Sequence, residues 1–418
     1  MAKLIINGGK SLNGVIKLGG AKNSTLPLLA ATLLCKGDTI LHNCPQLSDV
    51  DTSLKILTRL GCKCKRENNT VTVNADNVNC CEIPDDLMRE MRSSIVFMGA
   101  IVAKCRHAKL SSPGGCELGP RPIDLHLSSL RKMGIEINEG AGVLECNVPN
   151  DIFGAQIVLS FPSVGATENI MLTAVTAKGK TIICNAAREP EIIDLADFLK
   201  KAGANISGAG SSTIEINGVE RLTGVEHTVI PDRIAATTYM SAVTVCNGDV
   251  LIKDVCYDHM QPMINSFVAA GCEIDRDTEY SIRIRATKRP EKTETLKTMP
   301  YPGFPTDAGP AIVAMETVAN GTSVFIENIF ENRFRYVDEL RRLGADIEII
   351  GRVAIIKGVK RLHGAAVMST DLRGGAALVI AGLGAAGRTE ISEIYHIDRG
   401  YEFIENTFSA VGADIKRV

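Results

Sequence analysis

The chain has 418 residues, enough for two large domains or three small ones, and with 45% hydrophobic and 22% charged residues it can bury sizeable cores, which excludes a disordered or collagen-like protein. A net charge of −2, no Trp and 4% aromatic residues provide neither a track for a phosphate backbone nor a platform for stacked bases, so nucleic acid is not an expected partner. Its 13 cysteines are an odd number without paired CxxC spacing, which reads as reduced thiols of a cytoplasmic protein and not as a zinc ribbon or a secreted disulfide framework.

Residues 1–11 carry only the short apolar run from Leu4 to Ile6 before Gly8 and Gly9, too little for a signal-peptide core. A helix that is small and apolar almost all round is predicted next, over 24–34, so it should be buried on every side. The strand GDTIL follows, then an amphipathic helix closed by Gly61 and a second strand. The same succession recurs five more times. Apolar helices are predicted over 93–103, 166–177, 234–245, 308–318 and 374–383, and amphipathic helices end at Gly134, Gly203, Gly271, Gly344 and Gly412. These glycines, with Gly61, stand 68 to 73 residues apart and supply the left-handed turn from helix to strand. Five of the six apolar helices are followed by a strand with a Gly opening: GDTIL, GKTII, GDVLI, GTSVF and GRTEI. Six units of about 70 residues divide into three and three, with a boundary within 224–231. Segment 287–298, rich in Lys, Glu and Thr, is predicted as a surface loop. No apolar stretch reaches the roughly 18 residues of a membrane span.

Polar residues gather where these apolar helices begin. Lys22 and Asn23 open the first and Arg92 the second; Ser163, Val164 and Gly165 precede the third, Asp232 and Arg233 the fourth, Thr306 and Asp307 the fifth, and Asp371 and Arg373 flank the sixth. Helix N-termini carry unpaired N–H groups and partial positive charge, so two sets of three across a cleft would attract an anion. Lys22, Arg92, Arg233, Arg333, Arg373 and Arg399 add charge suited to a phosphate or carboxylate. For any one of these residues, capping or ordinary ion pairing is the competing explanation; the full set favours function.

The segment 111–126 places Cys116 among glycines and prolines, with Arg121 five residues on where its charge would favour a thiolate. The other twelve cysteines are expected to be small core hydrophobes. Gly179-Lys180-Thr181 resembles the end of a phosphate loop, but position 174 is Ala where Gly is required and the order is helix to strand, so it is rejected. No HExxH, His cluster or Ser-His arrangement appears, and neither metal nor cofactor is expected.

The motifs GGAKNS (19–24), PGGCELGPRPIDLH (113–126), SVGATENIML (163–172), AAREPEIIDLADFL (186–199), PDRIAA (231–236), FPTDAGP (304–310), FENRF (330–334), STDLRGG (369–375) and YHIDRGYE (395–402) span the chain. With them it resembles the bacterial UDP-N-acetylglucosamine enolpyruvyl transferases, an EPSP synthase-like family. The resemblance implies an α/β fold: a two-domain inside-out α/β barrel of six βαβαββ-like units. Residues 21–230 would form the N-terminal domain, and 1–20 with 231–418 the C-terminal one. The implied reaction moves the enolpyruvyl group of phosphoenolpyruvate to the 3′-hydroxyl of UDP-N-acetylglucosamine and releases phosphate, the first committed step of peptidoglycan precursor synthesis. Carbon 2 of phosphoenolpyruvate becomes electrophilic only when carbon 3 is protonated, and the hydroxyl must lose its proton, so acid and base are both needed.

The resemblance assigns the acid, and a covalent phosphoenolpyruvate adduct, to Cys116, and the base to Asp307. It places Lys22, Arg121 and Arg399 on phosphate, Arg333 and Arg373 on the carboxylate, Asn23 on the tetrahedral intermediate, and Arg92 in the same pocket. For the nucleotide sugar it implies Arg121, Pro122, Ile123, Asp124 and Leu125, then Phe161, Ser163, Val164 and Gly165, with Asp307 and Ile329 near the sugar. Glu189, Asp232, Asp371 and His396 are further candidates. Phe161 departs from the family, which often has Lys there, so uridine would stack where a charge otherwise contacts phosphate. The retained cysteine implies alkylation by the epoxide fosfomycin, and substrate would draw the two domains together with the Cys116 loop as a lid. Two alternatives remain open: the shikimate-pathway enolpyruvyl transferase, which lacks the GGC loop, and a non-catalytic sensor of nucleotide sugar.

Overall fold

The computed structural model describes residues 2–111 and 123–418. The backbone separates into two compact units: the described residues up to Gly19 join Pro231–Val418 in one, and those between Gly20 and Ile230 form the other. Each has its own hydrophobic core. Each also repeats one α/β motif three times, with buried helices inside and four-stranded sheets outside.

In the unit between Gly20 and Ile230, the sheets are built on Asp38–His42, His107–Ser111 and Lys180–Cys184. Each central strand pairs antiparallel with a hairpin on one side and parallel with a short edge strand on the other: Glu226–Thr228, Glu82–Ile83 and Gln156–Val158. Residues alternate inward and outward along them, as Ala108 and Leu110 show between the half-exposed His107, Lys109 and Ser111. In the other unit the central strands are Asp249–Lys253, Thr322–Ile326 and Arg388–Ser392. The N-terminal strands complete two of those sheets. Leu4–Asn7 inserts antiparallel between Arg388–Ser392 and Asp414–Arg417, and Asn13–Lys17 runs parallel to Asp249–Lys253.

The central helices are Lys22–Ala31, Phe97–Cys105 and Val164–Ala174 in one unit and Arg233–Val245, Gly309–Glu316 and Leu372–Gly384 in the other. Their small residues allow close approach. A Cβ on Gly99 would stand 2.5 Å from the Asn169 carbonyl oxygen, so the Phe97–Cys105 and Val164–Ala174 helices are in near backbone contact. Burial of the larger side chains on these helices, such as Leu28, Leu172 and Leu378, contributes about 1.5–3 kcal/mol each. The six glycines that close the amphipathic helices all have φ between 86° and 110°.

After the second apolar helix, the one without a Gly-initiated strand in the sequence, Arg106, at φ 63°, takes the left-handed turn before His107–Ser111. Two expectations change. Segment 287–298 is not a free surface loop: Leu296–Lys297 is an edge strand beside Thr322–Ile326. The Arg289 guanidinium donates to the carbonyls of Val318, Ala319, Gly358 and Val359, which fixes the start of the segment to that unit. The twelve described cysteines are not uniformly core residues, since Cys64, Cys80, Cys81, Cys105, Cys184 and Cys256 are only half-buried. Among the described residues no helix is long and apolar enough to cross a membrane.

Candidate active-site residues

In the unit between Gly20 and Ile230, Lys22 is the first residue of its helix and is buried, with Nζ 2.7 Å from Oδ2 of Asp49 in the first turn of Ser48–Arg59. Asp49 was not legible as a partner, because 27 residues separate the two and nothing in the intervening pattern marks it. Asn23, next in line, is exposed. Ser24 Oγ donates to Asp194, whose other oxygen accepts from Nε2 of His227 at 2.8 Å, while Nδ1 of His227 accepts from Lys201 at 3.2 Å. The start of this helix is therefore locked to the Pro190–Lys201 helix and to the strand Glu226–Thr228.

Three further helix starts in this unit meet at Asn169. Its amide donates to the carbonyl of Ile95 at 3.1 Å and to Nδ1 of His126 at 3.0 Å, while its Oδ1 accepts from Gly99 N at 2.6 Å. His126 belongs to the first turn of Asp124–Lys132, directly after the Cys116 segment, and its edge lies against Gly165. Burial lowers the His126 pKa to about 4, so at neutral pH the ring is uncharged and accepts at Nδ1. Asp124 is exposed at the head of that helix, with Ile123 and Leu125 half-buried. Ser163 caps the Val164–Ala174 helix by accepting from Ala166 N, Val164 and Gly165 are half-buried, and Phe161 is 43% exposed with its carbonyl accepting from Ser163 N. One turn into that helix, burial and then Glu191 and Glu189 push the Glu168 carboxyl well above the usual carboxylate range. Arg92 opens the short turn Arg92–Val96, and its side chain lies outside the described residues, as do Cys116, Arg121 and Pro122.

In the other unit the helix starts converge on Asp307. This residue lies in the turn Thr306–Ala308 ahead of Gly309–Glu316, and its carboxylate meets two buried guanidinium groups. Oδ1 is 3.1 Å from Arg333 and Oδ2 is 3.2 Å from Arg373, at 2% and 3% side-chain exposure, while Asp307 itself is 27% exposed. The Arg373 Nη1 donates to the Tyr401 hydroxyl at 3.2 Å, and that hydroxyl is 2.8 Å from Thr238 Oγ1 in the Arg233–Val245 helix. Burial alone would lower the Arg373 pKa, but Tyr401, Asp307 and Asp232 outweigh it and hold the guanidinium firmly charged. Asp232 and Asp371 are N-caps: each accepts two backbone N–H groups, from Ile234 and Ala235 and from Arg373 and Gly374.

A buried carboxylate outside the expected set supports this cluster. Glu327 accepts from the hydroxyls of Thr298 and Thr306 and from the N–H groups of Ile329 and Phe330, at 2.7 to 3.1 Å. It fixes both Ile329 and the residue before Asp307. Arg399 is half-buried at the end of the Tyr395–Asp398 turn, and His396 is buried beside the Tyr395 ring, 4.1 Å between centroids. Thus Asp307, Arg333, Arg373 and the Asp232 and Asp371 caps come together in one cluster, and Lys22, Ser163 and Gly165 lie at helix starts in the other unit. Among the described residues no group of His, Cys, Asp or Glu could hold a metal ion.

The family model of EPSP synthase (3-phosphoshikimate 1-carboxyvinyltransferase) matches residues 6–408. The UDP-N-acetylglucosamine 1-carboxyvinyltransferase 2 of Caldanaerobacter subterraneus subsp. tengcongensis is 51% identical over 100% of both chains. That of Finegoldia magna is 47% identical over 99% of both. Among solved structures, the enolpyruvyl transferase NikO from Streptomyces tendae superposes with a TM-score of 0.91 at 24% identity, covering 100% of this chain and 99% of that one. EPSP synthase from Acinetobacter baumannii superposes at 0.79 with 18% identity over 100% of both. The chain belongs to the EPSP synthase family, and these structures share its two-domain α/β fold.

Proposed function

We propose that this member of the EPSP synthase family transfers the enolpyruvyl group of phosphoenolpyruvate to the 3′-hydroxyl of UDP-N-acetylglucosamine, releasing phosphate, as a cytoplasmic enzyme of peptidoglycan precursor synthesis. The observation that carries the reading is identity of about one half, over the full length, to relatives bearing that activity in their names. In this reading Cys116 protonates carbon 3 and forms the covalent adduct, and Asp307 removes the hydroxyl proton. Lys22, Arg121 and Arg399 would hold phosphate, with Asn23 on the tetrahedral intermediate and Arg92 in the same pocket. Arg121 to Leu125, Phe161 and Ser163 to Gly165, with Ile329, would take the nucleotide sugar.

The geometry around Asp307 adds a step. The Asp307 carboxylate is held by the guanidinium groups of Arg333 and Arg373. The substrate carboxylate is a competing anion for Arg333 and Arg373. As it docks, it draws on the same two groups, and the Asp307 carboxylate is released toward the hydroxyl it would deprotonate.

The test is phosphate release from phosphoenolpyruvate with UDP-N-acetylglucosamine or with shikimate 3-phosphate as acceptor, each with and without fosfomycin. Turnover only with the nucleotide sugar, abolished by fosfomycin and by Cys116→Ser, is expected. Turnover with shikimate 3-phosphate, or tight binding of the nucleotide sugar with no phosphate released, would overturn it.

A further inference from the structure

A second nucleophilic arrangement lies outside the cluster described above. Cys81 immediately precedes the edge strand Glu82–Ile83, and its Sγ is 3.0 Å from Nδ1 of His107. The Nε2 of the same ring is 3.3 Å from Oε1 of Glu145. His107 opens the strand His107–Ser111, and Glu145 lies opposite Lys109 on the neighbouring antiparallel strand, so both side chains point to the outward face of that sheet. Their side chains are 34% and 47% exposed, which leaves the ring open to solvent.

The polar order settles the tautomer. Glu145, an acceptor only, accepts the hydrogen bond of Nε2–H, which leaves the Nδ1 lone pair for the thiol proton. Burial, then Cys80 and Glu82, push the Cys81 thiol up, so its resting form is S–H and the imidazole acts as a base instead of pairing with a ready-made thiolate. Thiol, imidazole and carboxylate stand in a line, each oriented by the next; the donors do not converge on a point where a metal would sit. More sulfur is close by. Cys105, at the end of the Phe97–Cys105 helix, has its thiol pushed up to about 11 by burial and then by Cys81, with Cys80 contributing.

We propose that Cys81 is a second nucleophilic thiol of this protein, a site of thiol–disulfide exchange with low-molecular-weight disulfides, with His107 as its base and Glu145 orienting the ring. In the exchange the Cys81 sulfur attacks one sulfur of the disulfide as its proton passes to Nδ1 of His107. The Cys81–S–S–R bond forms, the reagent's S–S bond breaks, and the departing thiolate takes the proton from His107. The Cys81 sulfur is oxidised and the departing sulfur reduced. The proposal is independent of enolpyruvyl transfer.

The test uses the full chain at pH 7 with 4,4′-dithiodipyridine as the disulfide probe, with time points read by peptide mass spectrometry whose fragment ions separate Cys80 from Cys81. Cys81 should be modified about tenfold faster than Cys80 or more, and His107→Ala should slow Cys81 by at least about tenfold, the lower end of what a positioned base contributes, without changing the rate at Cys80. Glu145→Gln, a partly exposed change that keeps the side-chain shape, should slow it several-fold, and it serves as the test if the His107 variant fails to fold. Equal rates at the two cysteines, or a Cys81 rate unmoved by both variants, would overturn the assignment.

Discussion

Replacing Asp307 by Asn keeps the shape of the side chain and removes its charge, so it isolates what the carboxylate does for the two guanidinium groups it touches. Arg333 and Arg373 are 2% and 3% exposed and lie 3.1 and 3.2 Å from it. Breaking a buried ion pair by removing one partner costs about 3–5 kcal/mol. The lower end applies here, because Asp307 is 27% exposed, the Asn oxygen still accepts from one guanidinium, and Arg373 keeps Tyr401. A loss of about 3 kcal/mol in a unit of roughly 200 residues corresponds to a melting temperature lower by about 6–12 °C. Differential scanning calorimetry at pH 7 reads it directly. Phosphoenolpyruvate should then stabilise the variant more than the wild type, since its carboxylate replaces the missing charge, while phosphate release is lost, as the proposed role of Asp307 requires. A melting point within about 2 °C of wild type, or equal stabilisation of both proteins by the ligand, would refute the view that this carboxylate is the counter-charge of a buried anion cradle.

Two other predictions concern the junction of helix starts at Asn169. The folded His126 pKa of about 4 lies below its ordinary value of 6.5, so between those values the unfolded chain binds more protons. Stability is fully present above about pH 6.5 and is lost as pH falls toward 4, by about 3 kcal/mol at about 1.4 kcal/mol per pH unit. Urea unfolding at pH 7 and pH 4.5 should show that fall, and His126→Gln should flatten it; an equal fall in the variant would place the titration elsewhere. Gly99→Ala puts a Cβ 2.5 Å from the Asn169 carbonyl oxygen and 2.8 Å from Thr173 Oγ1, one of them backbone that cannot turn aside. It should cost about 1–3 kcal/mol in the same assay, and a neutral result would mean that the two helices separate more readily than their packing implies.

Much of the fold was legible because each repeat carries the same local signals. Gly61 and its five counterparts need a left-handed backbone, and apolar helices between them need burial on all sides, so period and core follow from short-range physics. The strand His107–Ser111 lacks the Gly signal of the others because Arg106 performs the turn that Gly performs elsewhere, and 287–298 read as a loop because its strand has two residues and its anchor is a single arginine. The site was legible only as a list of helix starts. Asp49 beneath Lys22, Asn169 between three helices, Tyr401 beside Arg373 and Glu327 behind Asp307 are ordinary residues in their local sequence, and each acts through a partner that chain folding brings in from another repeat or element.

That dependence bears on how Asp307 holds its place. The residue lies in a three-residue turn, Thr306–Ala308, too short to fix a carboxylate by its own hydrogen bonds. Glu327 takes the Thr306 hydroxyl from one side, Arg333 donates to the Thr306 carbonyl at 2.9 Å from the other, and Arg373 arrives from the start of a helix whose own cap is Asp371. Each of these residues is itself buried and bonded, so the turn takes its geometry from rigid neighbours and not from its own sequence. An anion that drew Arg333 and Arg373 away from Asp307 would leave the Glu327 contacts intact. The carboxylate would then change its electrostatic partner while Glu327 still holds Thr306 and Ile329, which is what the base of the proposed mechanism requires to be both placed and switchable.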